Sequence, residues 1–230
     1  MAECQNVRLA GLIKHNYAKE LRLPSPFSWS AMQAQSGDLR IHDLEVWNLS
    51  SGSKEVANEL LDFLIEKCND RGLSRICFTN TDSSVTEIEP QLITLLAQKA
   101  KDLIKLYIMG NRDASAQMKQ DLANLTVNVF LQGSPNLKEV ALGGNGWSSE
   151  IGGKICSAIA ESRITSFVTV YLSSNPNWFD SPAKCEAWAK IFRKQRQLAS
   201  LSMKDCNLSS SAKATIKAAC PPKCKIGGMD

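Results

Sequence analysis

Apolar residues recur along the chain in one arrangement, apolar-x-x-apolar-x-apolar, and an amide or a thiol follows within three residues. Six copies are present: Ile41, Leu44 and Val46 with Asn48; Leu73, Ile76 and Phe78 with Asn80; Leu103, Leu106 and Ile108 with Asn111; Leu137, Val140 and Leu142 with Asn145; Phe167, Val170 and Leu172 with Asn175; and Leu198, Leu201 and Met203 with Cys206. The first residues of successive copies lie 32, 30, 34, 30 and 31 positions apart. The closing apolar-x-apolar of each copy has the period of a short strand with one buried face.

Between copies the apolar period changes to about 3.6, which marks an amphipathic helix. Val56, Leu60, Leu61, Leu64, Ile65 and Cys68 form one stripe, and Met118, Leu122, Leu125 and Val129 another. Ile151, Ile155, Ala158 and Ile159 obey the same rule, as do Cys185, Trp188, Ala189 and Phe192. Ser53, Ser148 and Ser181 stand where helix N-caps belong, Pro182 suits a first helical turn, and Thr86 with Glu89 has the spacing of a capping box. Each repeat therefore reads as strand, turn and helix. A single unit of this kind cannot bury its own apolar face, so the units must stack, with parallel strands on one side and helices on the other. Strand and helix differ in width, so the stack curves. The amide after each strand is expected to bond backbone groups where the chain leaves the ladder.

The LxxLxLxxN pattern, the long period and the helix in every repeat resemble the leucine-rich repeats, and specifically their ribonuclease-inhibitor-like subclass, in which Asn or Cys takes the position of Cys206. The resemblance spans about residues 39–220. It implies an α/β solenoid of about six repeats, with a curved parallel sheet on the concave face and helices on the convex face. The role it implies is that of a non-catalytic protein-binding module: an adaptor, an inhibitor or a scaffold subunit of a larger assembly. The same resemblance reaches GTPase-activating proteins for the small GTPase Ran and ubiquitin-ligase receptors, and a regulator of either type is the alternative.

Residues 1–38 lie outside the repeat and are expected to form an N-terminal cap, partly helical, with Leu9, Leu12, Ile13 and Tyr17 on one face. Prolines at 24 and 26 end that helix. At the other end, Pro221 and Pro222 stop the last helix, and residues 221–230 read as a tail.

Side chains alternate across a strand, so the residues between the inward leucines face the concave side. These are Asp43, Glu45 and Trp47; Arg75, Cys77 and Thr79; Lys105, Tyr107 and Met109; Glu139, Ala141 and Gly143; Thr169, Tyr171 and Ser173; and Ser200, Ser202 and Lys204. From this set Asp43, Glu45, Trp47, Arg75, Lys105, Tyr107, Met109, Glu139, Tyr171 and Lys204 are the candidate partner-binding residues. Trp47, Tyr107 and Tyr171 fall on alternate repeats, which spaces them by roughly 10 Å across a parallel sheet. A register slip of one residue would turn all of them into the core. Trp147 and Trp178 follow their strands, and form either a second exposed cluster on the loop edge or core caps between repeats.

Composition adds limits. The chain has 230 residues, 43% of them hydrophobic, enough for a substantial core. No apolar run approaches the roughly 20 residues of a membrane-spanning helix, and the first residues lack a secretory signal, so an intracellular, cytoplasmic protein without membrane insertion is expected. Eight cysteines, mostly within periodic apolar segments, read as reduced core residues. Net charge is +4, yet residues 184–230 hold ten Lys and Arg against three Asp and Glu, leaving residues 1–183 at −3. That basic end offers a surface for an anionic partner, although nucleic acid is not the expected one.

Catalytic chemistry is not supported. Two histidines, His15 and His42, lack ligand-spaced neighbours, so neither a metal nor a cofactor is expected. The glycines between Gly143 and Gly153 do not make a phosphate loop, because Ser148 stands where the first glycine must be and Ile155 where a magnesium-binding hydroxyl must be. Cys220 and Cys224 are close enough to pair but have no second ligand pair.

Overall fold

The structure is a computed structural model that describes residues 20–23, 43–47, 74–79, 96–98, 100–162 and 164–229; in residues 20–23 and 43–47 the backbone is described. Eight strands form one sheet in strict chain order. They are β1 (Glu20–Leu23), β2 (Asp43–Trp47), β3 (Arg75–Thr79), β4 (Lys105–Met109), β5 (Glu139–Ala141), β6 (Thr169–Tyr171), β7 (Ser200–Ser202) and β8 (Lys225–Gly227). Every neighbouring pair is parallel. The register joins Leu44, Ile76, Leu106, Val140, Val170 and Leu201, the central apolar residue of each of the six copies, into one row. This is the α/β leucine-rich-repeat solenoid, and it follows directly from stacking the repeated motif.

Two strands were not in the expected set. β8 lies in residues 221–230, expected as a tail, and it pairs with β7 through Leu201 and Ile226. Only Ile226 supplies an apolar side chain there, so backbone pairing rather than pattern makes the strand. β1 lies in the expected N-terminal cap, with Leu21 opposite Leu44 and Leu23 opposite Val46. The stripe Leu9 to Tyr17, the helix of Val56 to Cys68, the caps Ser53, Thr86 and Glu89, and Asn48 and Asn80 lie outside the described residues.

Four helices are described in full: α1 (Ala116–Leu125), α2 (Ser149–Glu161), α3 (Pro182–Lys194) and α4 (Ser210–Ala219). All four begin on a serine whose hydroxyl accepts the backbone N–H three residues on: Ser115 from Met118, Ser148 from Ile151, Ser181 from Lys184 and Ser209 from Ala212. Met118, Leu122 and Leu125 of α1, Ile151, Ile155, Ala158 and Ile159 of α2, and Cys185, Trp188, Ala189 and Phe192 of α3 are buried against the strands, as their spacing required. A π-helical turn, Thr126–Leu131, continues α1 and falls in the longest repeat. The extra length is taken up as a wider helical turn.

The turn after each of β4 to β7 is repeated as well. Gly110, Gly144, Ser174 and Asp205, each two residues past the last inward apolar residue, all have positive φ. The following side chain then enters the core as a hydrogen-bonding plug. Asn145 donates to the carbonyls of Ile108 and Leu142 at 2.6 and 3.1 Å and accepts from the Asn111 amide at 2.9 Å. Asn175 donates to Leu142 and Leu172 at 3.1 and 2.8 Å. The thiol of Cys206 keeps one link of this ladder, to the carbonyl of Leu172 at 3.2 Å.

Candidate functional site

Strand register sorts the outward positions into rows. The first runs Glu20, Asp43, Arg75, Lys105, Glu139, Thr169, Ser200 and Lys225. The second runs Arg22, Glu45, Cys77, Tyr107, Ala141, Tyr171, Ser202 and Gly227. In the third, Trp47 stands with Thr79 and Met109. The expected line of Trp47, Tyr107 and Tyr171 is thus corrected. Glu45 occupies the position in line with the tyrosines, and Trp47 lies one pleat further along its strand, displaced by roughly 6.6 Å.

Around Tyr107 the rows interlock. Its phenol donates to Oε2 of Glu139 at 2.5 Å, while Lys105 Nζ lies 3.1 Å from Oε1 of the same carboxylate. The Arg75 guanidinium lies 5.3 Å from the Tyr107 ring centroid, a cation–π distance. Burial, and then the hydrogen bond and charge of Glu139, push the Tyr107 phenol well above the ordinary tyrosine range. For Glu139, burial opposes ionisation, but the hydrogen bonds from Tyr107 and Lys105 and the positive charges of Lys105 and Arg75 outweigh it and lower its pKa. Three residues from three strands, Glu139, Lys105 and Arg75, therefore hold the Tyr107 ring in one orientation.

Tyr171 stands two strands away in the same row and is 41% exposed. Ala141 and Cys77, the small residues flanking Tyr107 in this row, are buried between larger neighbours. Met109 is half-buried and Lys204 is exposed. Ser173 and Ser202 share a hydrogen bond at 2.8 Å. Of the expected site residues, Arg75, Lys105, Tyr107 and Glu139 form one contact cluster, with Tyr171 beside it in the row. Asp43, Glu45 and Trp47 occupy backbone register positions on the same rows. Lys204 lies past the strand end, two strands beyond Glu139 and its neighbours.

Trp147, Trp178 and Phe179 form no exposed cluster on the loop edge. All three are buried. Trp147 stacks on Trp178 at 6.1 Å between centroids, and Trp178 on Trp188 at 5.8 Å, making a column that runs through consecutive repeats. The Trp147 indole N–H donates to the carbonyl of Lys119 at 3.0 Å. The core-cap reading of these residues is the one the structure shows.

Among the described residues, burial governs the chemistry of two cysteines outside this cluster. Burial pushes the Cys156 thiol up to about 11 and, with help from Cys224, the Cys220 thiol up to about 12. Neither thiol then supplies much of the reactive thiolate at neutral pH. Among the described residues no group of three or more His, Cys, Asp or Glu side chains could hold a metal ion, and no helix is long and apolar enough to cross a membrane. Gly152, within the glycine-bearing stretch 143–153, faces the Trp178 ring.

No family model matches the chain, and no curated protein matches it. Among solved structures, it is similar to the leucine-rich repeat-containing protein LegL7 from Legionella pneumophila, at 16% identity and a TM-score of 0.48, covering 89% of this chain and 71% of that one. It is also similar to the tropomodulin C-terminal domain of Caenorhabditis elegans, at 14% identity and a TM-score of 0.44, covering 83% of this chain and 92% of that one.

Proposed function

We propose that this protein is a non-catalytic interaction module of the ribonuclease-inhibitor-like subclass, working inside the cell as an adaptor, inhibitor or scaffold subunit that holds a protein partner on the outward face of its sheet. The carrying observation is the fixation of Tyr107 by Glu139, Lys105 and Arg75 beside the exposed Tyr171. Tyr, Trp and Arg dominate interface energetics, and an aromatic ring already held in place loses little entropy when a partner covers it. Asp43, Glu45, Trp47, Met109 and Lys204 extend the surface on either side. The full helices α1 to α4 and the Cys206 thiol in the asparagine ladder support the subclass.

Alanine at Tyr107 and Tyr171 tests the reading. Loss of each hot-spot ring costs on the order of 2 kcal/mol of binding, or about thirtyfold in affinity. The double variant should fail to retain the partner captured by the unaltered chain while keeping its circular dichroism and a cooperative urea transition. Retention at unchanged affinity would remove the sheet face as the binding site.

A further inference from the structure

The outward rows change character along the sheet. At β1 and β2 they hold Glu20, Asp43 and Glu45 against a single cation, Arg22. In the middle, the carboxylate of Glu139 is satisfied by Lys105 and Tyr107. From β6 onward the positions are Thr169, Tyr171 and Ser173, then Ser200, Ser202 and Lys204, then Lys225 and Gly227, with no acid among them. Lys204 and Lys225 are both exposed. The nearest carboxylate in sequence, Asp205, lies past the end of β7 in left-handed backbone, and its charge acts on the Cys206 thiol.

We infer that β6, β7 and β8 form the seat of an acidic, extended protein segment, which lies across the hydroxyl-lined strands with its carboxylates on Lys204 and Lys225 and an apolar side chain against Tyr171. This rests on the protein-binding reading above and specifies the partner's chemistry. Hydroxyls from Thr169 and Ser200, with whichever of the paired Ser173 and Ser202 does not donate to the other, supply donors for carboxylate and backbone oxygens. The small side chains let an extended backbone approach the sheet. Acidic positions at β1 and β2 repel such a segment and confine it to the far end, so charge sets its place. Crossing from β6 to β8 takes roughly 10 Å, about three residues of extended chain, so a segment of about ten residues covers these strands with length to spare.

Fluorescence anisotropy with the full chain tests this, using a labelled peptide of alternating glutamate and glycine about ten residues long, with one central leucine. The unaltered protein should bind it at low salt, progressively less as salt rises, and should not bind the lysine counterpart. Reversal of both lysines, Lys204→Glu with Lys225→Glu, should weaken binding about five- to tenfold or more, and Lys204→Arg with Lys225→Arg should preserve it. Lys190→Glu with Lys217→Glu changes net charge equally at exposed positions of α3 and α4, and should leave affinity within about twofold. Equal losses in both reversed proteins, or no binding by the unaltered chain, overturn the inference. Tighter binding of an oligothymidylate through the same two lysines overturns it in favour of nucleic acid. A partner retained by the lysine-reversed chain but lost from the Tyr107→Ala, Tyr171→Ala chain overturns this inference alone; a partner retained by both removes the sheet face as the binding site as well.

Discussion

Tyr107 on β4 donates its phenolic proton to Glu139 on β5 at 2.5 Å, and the two residues lie 32 positions apart, close to one repeat. They occupy different rows, so the bond runs diagonally across adjacent strands. It couples an aromatic ring to a carboxylate that Lys105 already holds.

That coupling predicts a pH window. Glu139 titrates lower in the fold than in the unfolded chain, so its contribution is present above the ordinary carboxylate value of about 4.3 and is lost as pH falls through the lowered folded value. Tyr107 titrates higher in the fold; its contribution is full below about pH 10 and is lost as pH rises beyond that. Urea midpoints measured across pH should show the unaltered chain exceeding Tyr107→Phe by a constant margin between these limits. The margin should narrow on both sides. A margin independent of pH would show that the hydrogen bond does not order the ring.

Buried amides at the strand exits should matter more than any surface residue. Asn145→Ala removes the partners of two carbonyls and of the Asn111 amide, and leaving such groups unpaired costs about 1–3 kcal/mol each. A loss of about 2–4 kcal/mol is expected for Asn145→Ala from chemical denaturation, against about 1 kcal/mol for Cys206→Ala, whose thiol makes weaker sulfur bonds. Equal losses would contradict the ladder as the source of the difference.

Two adjacent glycines in α2 should respond in opposite directions to the same change. A Cβ on Gly152 would meet ring carbons of Trp178 at 2.6 Å, and Trp178 is held between Trp147 and Trp188. Gly152→Ala should therefore destabilise by about 1–3 kcal/mol. Gly153 has nothing within 4 Å of its added Cβ, so Gly153→Ala should stabilise by about 0.5–1 kcal/mol through helix propensity alone. Thermal or urea unfolding of the two variants separates these effects.

Strands β2 to β7 were legible because each carries its own alternating apolar residues, and the roles of Asn111, Asn145, Asn175 and Cys206 followed from where they stand after those strands. β8 was not legible, since Lys225, Ile226 and Gly227 offer one apolar residue and the strand exists through pairing with β7. β1 escaped for a different reason: Ala18, Leu21 and Leu23 keep the motif spacing, but the first is small, and Ser25 and Pro26 stand where the amide or thiol should follow. The candidate site divides the same way. Periodicity identified Arg75, Lys105, Tyr107, Glu139 and Tyr171 as outward residues, but which of them touch depends on register between strands. Register also moved Trp47 out of the tyrosine row and into that of Met109. For Trp147 and Trp178, the stacking column through α3 decides for the core, and pairs of rings from different repeats leave no periodic mark in one sequence.

The claim that the outward face of the sheet holds the partner is tested most directly by photo-crosslinking. A benzoylphenylalanine placed at Tyr171, the exposed ring beside Tyr107, is compared with one at Lys190, exposed on α3 in the helix layer. Irradiation in the presence of the native partner should give a discrete covalent adduct from position 171 and none from position 190. An adduct from position 190 alone would place the partner on the helices and contradict the account.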